Sequence, residues 1–368
     1  MVSSITVSRL NEIVGGQPVY LLRRALPPDP DRPVFQAVQV LPGRGMNTFQ
    51  IQAHLPGKGL VDVLASPSIA EAQKLLNGGP GDLHGNQSFM LGGAILAPFA
   101  GRVRGTVAPD GKTFSVDIKG HKAVLPANWS GRRPGAEKHA IHGLILDRQA
   151  TEVKTEADAA GASITGILKA GDFGVGWPSQ ITITTRVALA EDSIEVRVTA
   201  LNEGGQLTVV GFGWHPYFAF PSGDRNQVRL RIPAAERLEV NNRDEHFPTG
   251  RLLPVAGTEY DLSAPGGGAI AGLSLEECFT NLKRDHEGHA VAEISDPSAK
   301  FGLRIAMLSP EISAIQVYAP ADQQYAAIEP WFNLPDPFGT VWNTAAGMVE
   351  LRPGASTTYA VRLKLFTA

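Results

Sequence analysis

The chain has one cysteine, Cys278, so no disulfide can form within it. That fits a reducing compartment, and the expected location is cytoplasmic. Its 368 residues contain no apolar run long enough for a membrane helix, which needs about 18 residues. The first segment, Met1–Val14, carries Arg9, Asn11 and Glu12 and lacks the apolar block of a secretory leader. Neither sign of charge dominates: 33 basic against 36 acidic residues leave a net charge of −3. With no tail or stripe of one sign, neither nucleic acid nor an anionic membrane is an expected partner. Nucleotide and nucleophile motifs are missing too. There is no phosphate loop, no Gly-x-Gly-x-x-Gly after a strand and no Gly-x-Ser-x-Gly elbow. His286 and His289 are three apart, but they lie among charged residues and glycine, which reads as a solvated loop. The Gly266–Gly268 triplet follows Ala-Pro and reads as a turn, and Cys278 reads as a small core residue.

Helix signals are also scarce. The best is Ser66–Leu76, with a serine at a possible N-cap and Gly78-Gly79 beyond its end; residues 66–88 read as a surface excursion with one short helix. What the sequence does have is alternation. Phe49, Ile51 and Ala53 alternate with polar residues, as do Phe114, Val116 and Ile118 after the Pro109–Gly111 turn. Ile181 to Leu189, then Glu191-Asp192, then Ile194 to Ala200 reads as a hairpin of two period-2 strands. Val228–Ile232, Phe301–Met307 and Tyr359–Leu365 repeat the pattern. With 40 glycines and 27 prolines for turns, this predicts a mostly β protein. The expected architecture is a large antiparallel β-sandwich with few short helices, forming one catalytic domain across 1–368. Two β-domains are the alternative.

Two segments stand apart. Gly211–Phe220 packs five aromatics around His215 after an apolar strand. A sugar has apolar C–H faces and polar edges, so an aromatic wall such as Trp214 and Tyr217 beside a proton donor suits it. Tyr318–Phe338 places Glu329 after Tyr325-Ala-Ala-Ile328 and before Pro330, Trp331 and Phe332. A carboxylate at the end of a buried strand is costly unless paired or functional, and desolvation raises its pKa toward the range of a general base. Read singly, each residue also fits a structural role: a satisfied core histidine, and a salt-bridged or capping glutamate.

Taken together, these segments resemble the aldose 1-epimerases, or galactose mutarotases. The family's His-x-Tyr-Phe block matches His215–Phe218, and its Glu-Pro block matches Glu329-Pro330. Ala97–Val103 resembles its Pro-x-x-Asn-Arg-Ile segment, Ala140–Gly143 its His-Gly segment, and Leu275–Thr280 its Leu-Asp-Asp-x-Phe-Thr segment. The likeness runs from about residue 35 onward. It implies a galactose mutarotase-like supersandwich holding a sugar on its concave face. It also implies roles: Glu329 as general base, His215 as general acid, His142 as a sugar ligand, and Arg102 and Glu276 as hydroxyl ligands. The substrate would be a small-molecule sugar such as glucose or galactose, with no cofactor and no metal. The protein would be a monomer or homodimer. Gly101 stands where the family usually has Asn, and Glu276 where Asp is usual, with Glu277 next to it as the other candidate. Two rival readings share the scaffold. A hexose-6-phosphate 1-epimerase would need a basic cluster, for which Arg132, Arg133, Lys138, Arg102 and Arg104 are available. A non-catalytic carbohydrate-binding protein would not need a matched acid and base.

Overall fold

A computed structural model describes residues 5–25, 31–342 and 346–368. The alternating segments form strands. Ile181–Ala190 and Ser193–Asn202 pair antiparallel, Leu189 opposite Ile194, as the hairpin reading requires. These two join Glu152–Asp158, Gly161–Gly171, Ser356–Phe366, Phe301–Met307, Ala290–Asp296, Arg229–Arg231 and Gly268–Ala269 in a nine-stranded sheet. A seven-stranded sheet runs in the order Pro248–Pro254, Ala234–Val240, Leu275–Leu282, Ala314–Ala319, Tyr325–Trp331, Gly213–Ala219, Gly93–Leu96. A five-stranded meander, Ile5–Asp62, forms a third sheet. Of the Met1–Val14 segment, residues 1–4 lie outside the described residues, and Ile5–Val14 is a strand.

The two largest sheets bury facing sides in one apolar cluster. Phe218, Phe279, Val317 and Ile328 come from the seven-stranded sheet; Val196, Ile294, Leu303 and Val361 come from the nine-stranded one. This is a β-sandwich, held by apolar residues on one parity of each strand. The other side of the seven-stranded sheet faces away from that core, and it carries the candidate site.

The excursion at 66–88 has its helix at Ile69–Leu75. Its N-cap is Ser68 rather than Ser66, because Ser68 and Glu71 close a reciprocal capping box. The first half is exposed, but the second turns inward. Asp82 is buried in an ion pair with Arg44 at 2.7 Å, and a short helix, Asn86–Phe89, brings Phe89 beneath the sheet. No helix among the described residues is long and apolar enough to cross a membrane.

Candidate functional site

Strand register assembles the centre. Cys278 lies opposite Gln316, and Gln316 opposite Glu329. The next strand pairs Gly213 with Trp331 and Tyr217 with Ala327, which brings His215 level with Glu329. Residues directly opposite one another share a face, so these four side chains form a row. The adjacent row on the same face contains Glu276, Tyr318 and Tyr217. Within the first row His215 Nε2 stands 3.3 Å from Glu329 Oε1, with the two side chains 5% and 1% exposed. The His215 ring stacks on Tyr217 at 4.9 Å.

Loops supply the rest. His142 has φ +59° just after the Lys138–Ile141 strand; its N–H donates to Gly101 O, and its Nδ1 accepts from Gly101 N at 3.4 Å. That fixes the tautomer with the proton on Nε2 when the ring is neutral. Gly101 (φ +72°) lies against Trp331, where a Cβ would sit 3.0 Å from the indole. So the backbone of Gly101 orients His142, and any side chain here would press on Trp331. Arg102, the next residue, reaches Glu276 Oε1 at 3.2 Å. The tail after Glu329 clamps this segment twice. Asn333 accepts from Ala100 N and donates to Ala100 O, while buried Asp336 accepts from Arg104 N and Arg104 Nε. The Pro335-Asp336-Pro337 sequence is the rigid frame of that second clamp: Asp336 N–H also donates to Arg102 O at 2.7 Å.

Burial dominates the electrostatics. Desolvation pushes the Glu329 carboxyl well above its ordinary range, with Arg102 pulling the other way. The Trp331 indole stands beside this carboxylate without closing a hydrogen bond, and Glu329 Oε2 and Trp331 Nε1 are both unpaired among the described residues. Desolvation lowers His215 to about 3, and burial with His215 and Arg102 nearby takes His142 well below its usual value. His246, 3.4 Å from Glu276 Oε2, is lowered to about 4 by burial and by Arg102. The Tyr217 hydroxyl is pushed well up by burial and the Glu329 charge. The centre is therefore deeply buried and prefers uncharged groups, with several polar atoms unpaired among the described residues. His142, His215 and Glu329 bring potential ligand atoms within 4.8 Å of one another, a spacing that a small cation or sugar hydroxyls could use.

Of the residues singled out in the sequence, His215, Glu329, His142, Arg102, Glu276 and Tyr217 come together. Trp214 does not. Strand alternation sends it to the sandwich core, fully buried, with Nε1–H donating to Gly93 O at 3.0 Å; it is a packing residue and not part of a sugar wall. Glu277 points to the opposite face from Glu276 and is held by Arg237 and Arg243, so Glu276 is the carboxylate on the site side. The His289 segment is a turn in which Asp285 accepts the N–H groups of Glu287 and His289. Sequence reasoning missed Gln316, His246, Tyr318 and Phe89. Gln316 alone carried a signal, as a polar residue in an otherwise apolar strand, Ala314–Ala319.

Comparison with known proteins gives a consistent picture. A family model described as Aldose 1-epimerase matches residues 58–364. A maltose epimerase of Levilactobacillus brevis is 27% identical over 172 residues, 46% of this chain and 47% of that protein; the match thus spans about half the length of this curated relative. A galactose mutarotase-like protein of Clostridium acetobutylicum superposes with a TM-score of 0.76 at 19% identity, covering 99% of each chain. A galactose 1-epimerase of Lactobacillus acidophilus gives 0.68 at 18% identity, covering 99% of this chain and 100% of that one. At these identities the two structures establish a shared fold.

Proposed function

Because the chain belongs to the aldose 1-epimerase family, we propose that it interconverts the α and β anomers of a free aldose by opening and reclosing the sugar ring, with Glu329 and His215 moving the protons. The observation that carries this reading is the 3.3 Å approach of His215 Nε2 to Glu329 Oε1, with both side chains almost wholly buried.

Ring opening removes a proton from the anomeric hydroxyl and delivers one to the ring oxygen. As the C1–O5 bond breaks, the O1–H electrons become the carbonyl bond; Glu329 takes that proton and His215 gives its own to O5. The aldehyde turns about C1–C2, and closure on the other face reverses both transfers. No hydride or electron moves. The pair begins as carboxylate and imidazolium and passes to carboxylic acid and imidazole. Burial alone favours the second, uncharged form, so the charged starting pair depends on Arg102 and on the hydrogen bonds that a bound sugar supplies. Each positioned proton transfer contributes about 10²–10⁴-fold. Arg102, Glu276, His142 and Tyr217 hold the hydroxyls, and their separate strands and loops fix the ring between the two catalytic groups.

Glu329→Gln removes the base and keeps the shape. Polarimetry should show catalysed anomer exchange falling by about 10²–10⁴-fold while calorimetry still detects sugar binding. Near-normal exchange would sink the assignment.

Charge pairing disfavours a sugar phosphate. Arg102, Arg104 and Arg133 are paired with Glu276, Asp336 and Asp244, and Lys138 Nζ donates to Gly111 O. Of that set, only the Arg132 side chain makes no hydrogen bond or ion pair among the described residues. The similarity to a maltose epimerase favours a reducing disaccharide as a second substrate reading.

A further inference from the structure

The chain has five tryptophans, and Trp177, Trp214 and Trp331 are buried. The other two, Trp129 and Trp342, are only partly buried, and both pack on the same small apolar cluster. That cluster contains Phe89, Cys278 and Trp331, so it is the floor and wall of the acid–base site. Phe89 links the two regions: its ring lies 4.7 Å from His142, 5.8 Å from His215 and, edge to face, 5.4 Å from Trp129. Trp129 is therefore one ring further out from the catalytic histidine. Its indole N–H has no partner among the described residues, whereas that of Trp342 donates to Pro335 O at 2.9 Å.

This wall is built rather than loose. Asn86 Nδ2 donates to Asn128 O at 2.7 Å, Asn128 Nδ2 donates to Asn86 Oδ1 at 2.8 Å, and Asn128 Oδ1 accepts from Ile141 N at 3.1 Å. The amide pair ties the Phe89 helix to the residue before Trp129 and to the strand that ends just before His142. An indole with an apolar face and a free N–H suits a pyranose, which presents a C–H face edged by hydroxyls. A ring that is to open must keep O1 free, so any further sugar unit hangs from another hydroxyl and extends beyond the catalytic pair.

We propose that Trp129 and Trp342 form a second saccharide subsite, so that the substrate class is a reducing disaccharide whose reducing-end ring occupies the His215–Glu329 centre. This rests on the acid–base reading above and extends it to the second ring.

The test compares maltose with glucose by polarimetry in the wild type, Trp129→Ala, Trp342→Ala and Trp129→Phe. The expected wild-type kcat/KM is higher on maltose. Each alanine variant should lower the maltose value about tenfold more than the glucose value, a difference of about 1.4 kcal/mol, and Trp129→Phe should recover most of the loss. Equal losses on both sugars, or a wild type indifferent to the second ring, would overturn the proposal. Calorimetry with maltose in Glu329→Gln, with and without Trp129→Ala, separates the two ideas. A roughly tenfold weaker Kd supports the subsite even if exchange is absent for both sugars, a result that would reject only the acid–base reading; an unchanged Kd rejects the subsite.

Discussion

The outer faces of the two large sheets make opposite use of polar residues. On the nine-stranded sheet they pair with one another in water. Glu195 accepts from Arg197 and Arg362, Arg304 from the next strand reaches Glu293, and Lys364 reaches Asp192, with most of these side chains around half exposed. On the seven-stranded sheet, the polar residues are buried and incompletely paired. Among the described residues, Glu329 Oε2, His215 Nδ1 and, in the loop beside the sheet, both ring nitrogens of His246 have no hydrogen-bond partner. Antiparallel strands with the same alternation thus support a solvated ion ladder on one side and a dry, unsatisfied row on the other. Leaving such groups unpaired costs stability, typically about 1–3 kcal/mol each, unless a ligand completes them. On the proposed acid–base reading, the row around His215 and Glu329 is the working one.

The largest effect that would break this contrast is catalytic. His215→Asn should cut anomer exchange by about 10²–10⁴-fold in polarimetry while thermal unfolding changes little. Full activity would mean that unpaired burial does not identify function here.

Acid should come next. His215, His139 and His246 titrate near 3, 4 and 4 in the folded chain, against about 6.5 when unfolded. Below about pH 6.5 the unfolded chain therefore binds protons that the folded chain refuses, and stability falls as pH drops toward 4. Each histidine contributes up to about 1.4 kcal/mol per pH unit over that window. The raised Glu329 carboxyl works in the opposite sense, since the folded form binds its proton more tightly and loses that advantage as pH rises. Denaturant melts between pH 7 and 4 should show the midpoint falling, and His215→Asn should flatten that slope.

The smallest effect belongs to the ladder. Glu195→Ala should cost about 0–1 kcal/mol in denaturant unfolding and leave exchange rates unchanged. A large loss of activity would join the two faces functionally and erase the distinction.

The same contrast explains what could be read in the sequence. The Ile181–Ala190 and Ser193–Asn202 hairpin was legible because one of its faces meets water, so apolar and polar residues alternate. Around the site that signal vanishes. Gly213–Ala219 is buried at nearly every position and Tyr325–Trp331 likewise, so parity cannot be read from polarity. This is why Trp214 was grouped with His215 although the two point to opposite faces. Local chemistry and family resemblance placed His215, Glu329, His142, Arg102 and Glu276. Phe89 and His246 were invisible because only sheet register and loop docking bring them in, from 240 and 83 positions away from Glu329; Gln316 showed only as a polar residue in an apolar strand. The helix at Ile69–Leu75 was found from its ends, and its true cap needed the geometry of Ser68 and Glu71.

The last strand, Ser356–Phe366, is inserted between Ser193–Asn202 and Phe301–Met307 in the middle of the nine-stranded sheet. For a chain emerging from the ribosome, this delays completion of the sheet until that strand has been made. Until residues 356–366 arrive, two half-sheets present open edges with unpaired backbone groups, the surfaces most prone to pairing with other chains. Closure then comes as one late, long-range event that aligns 9 residue pairs on one side and 6 on the other. Deletions within Ser356–Phe366 would therefore act as a folding defect, felt at a site some distance along the chain.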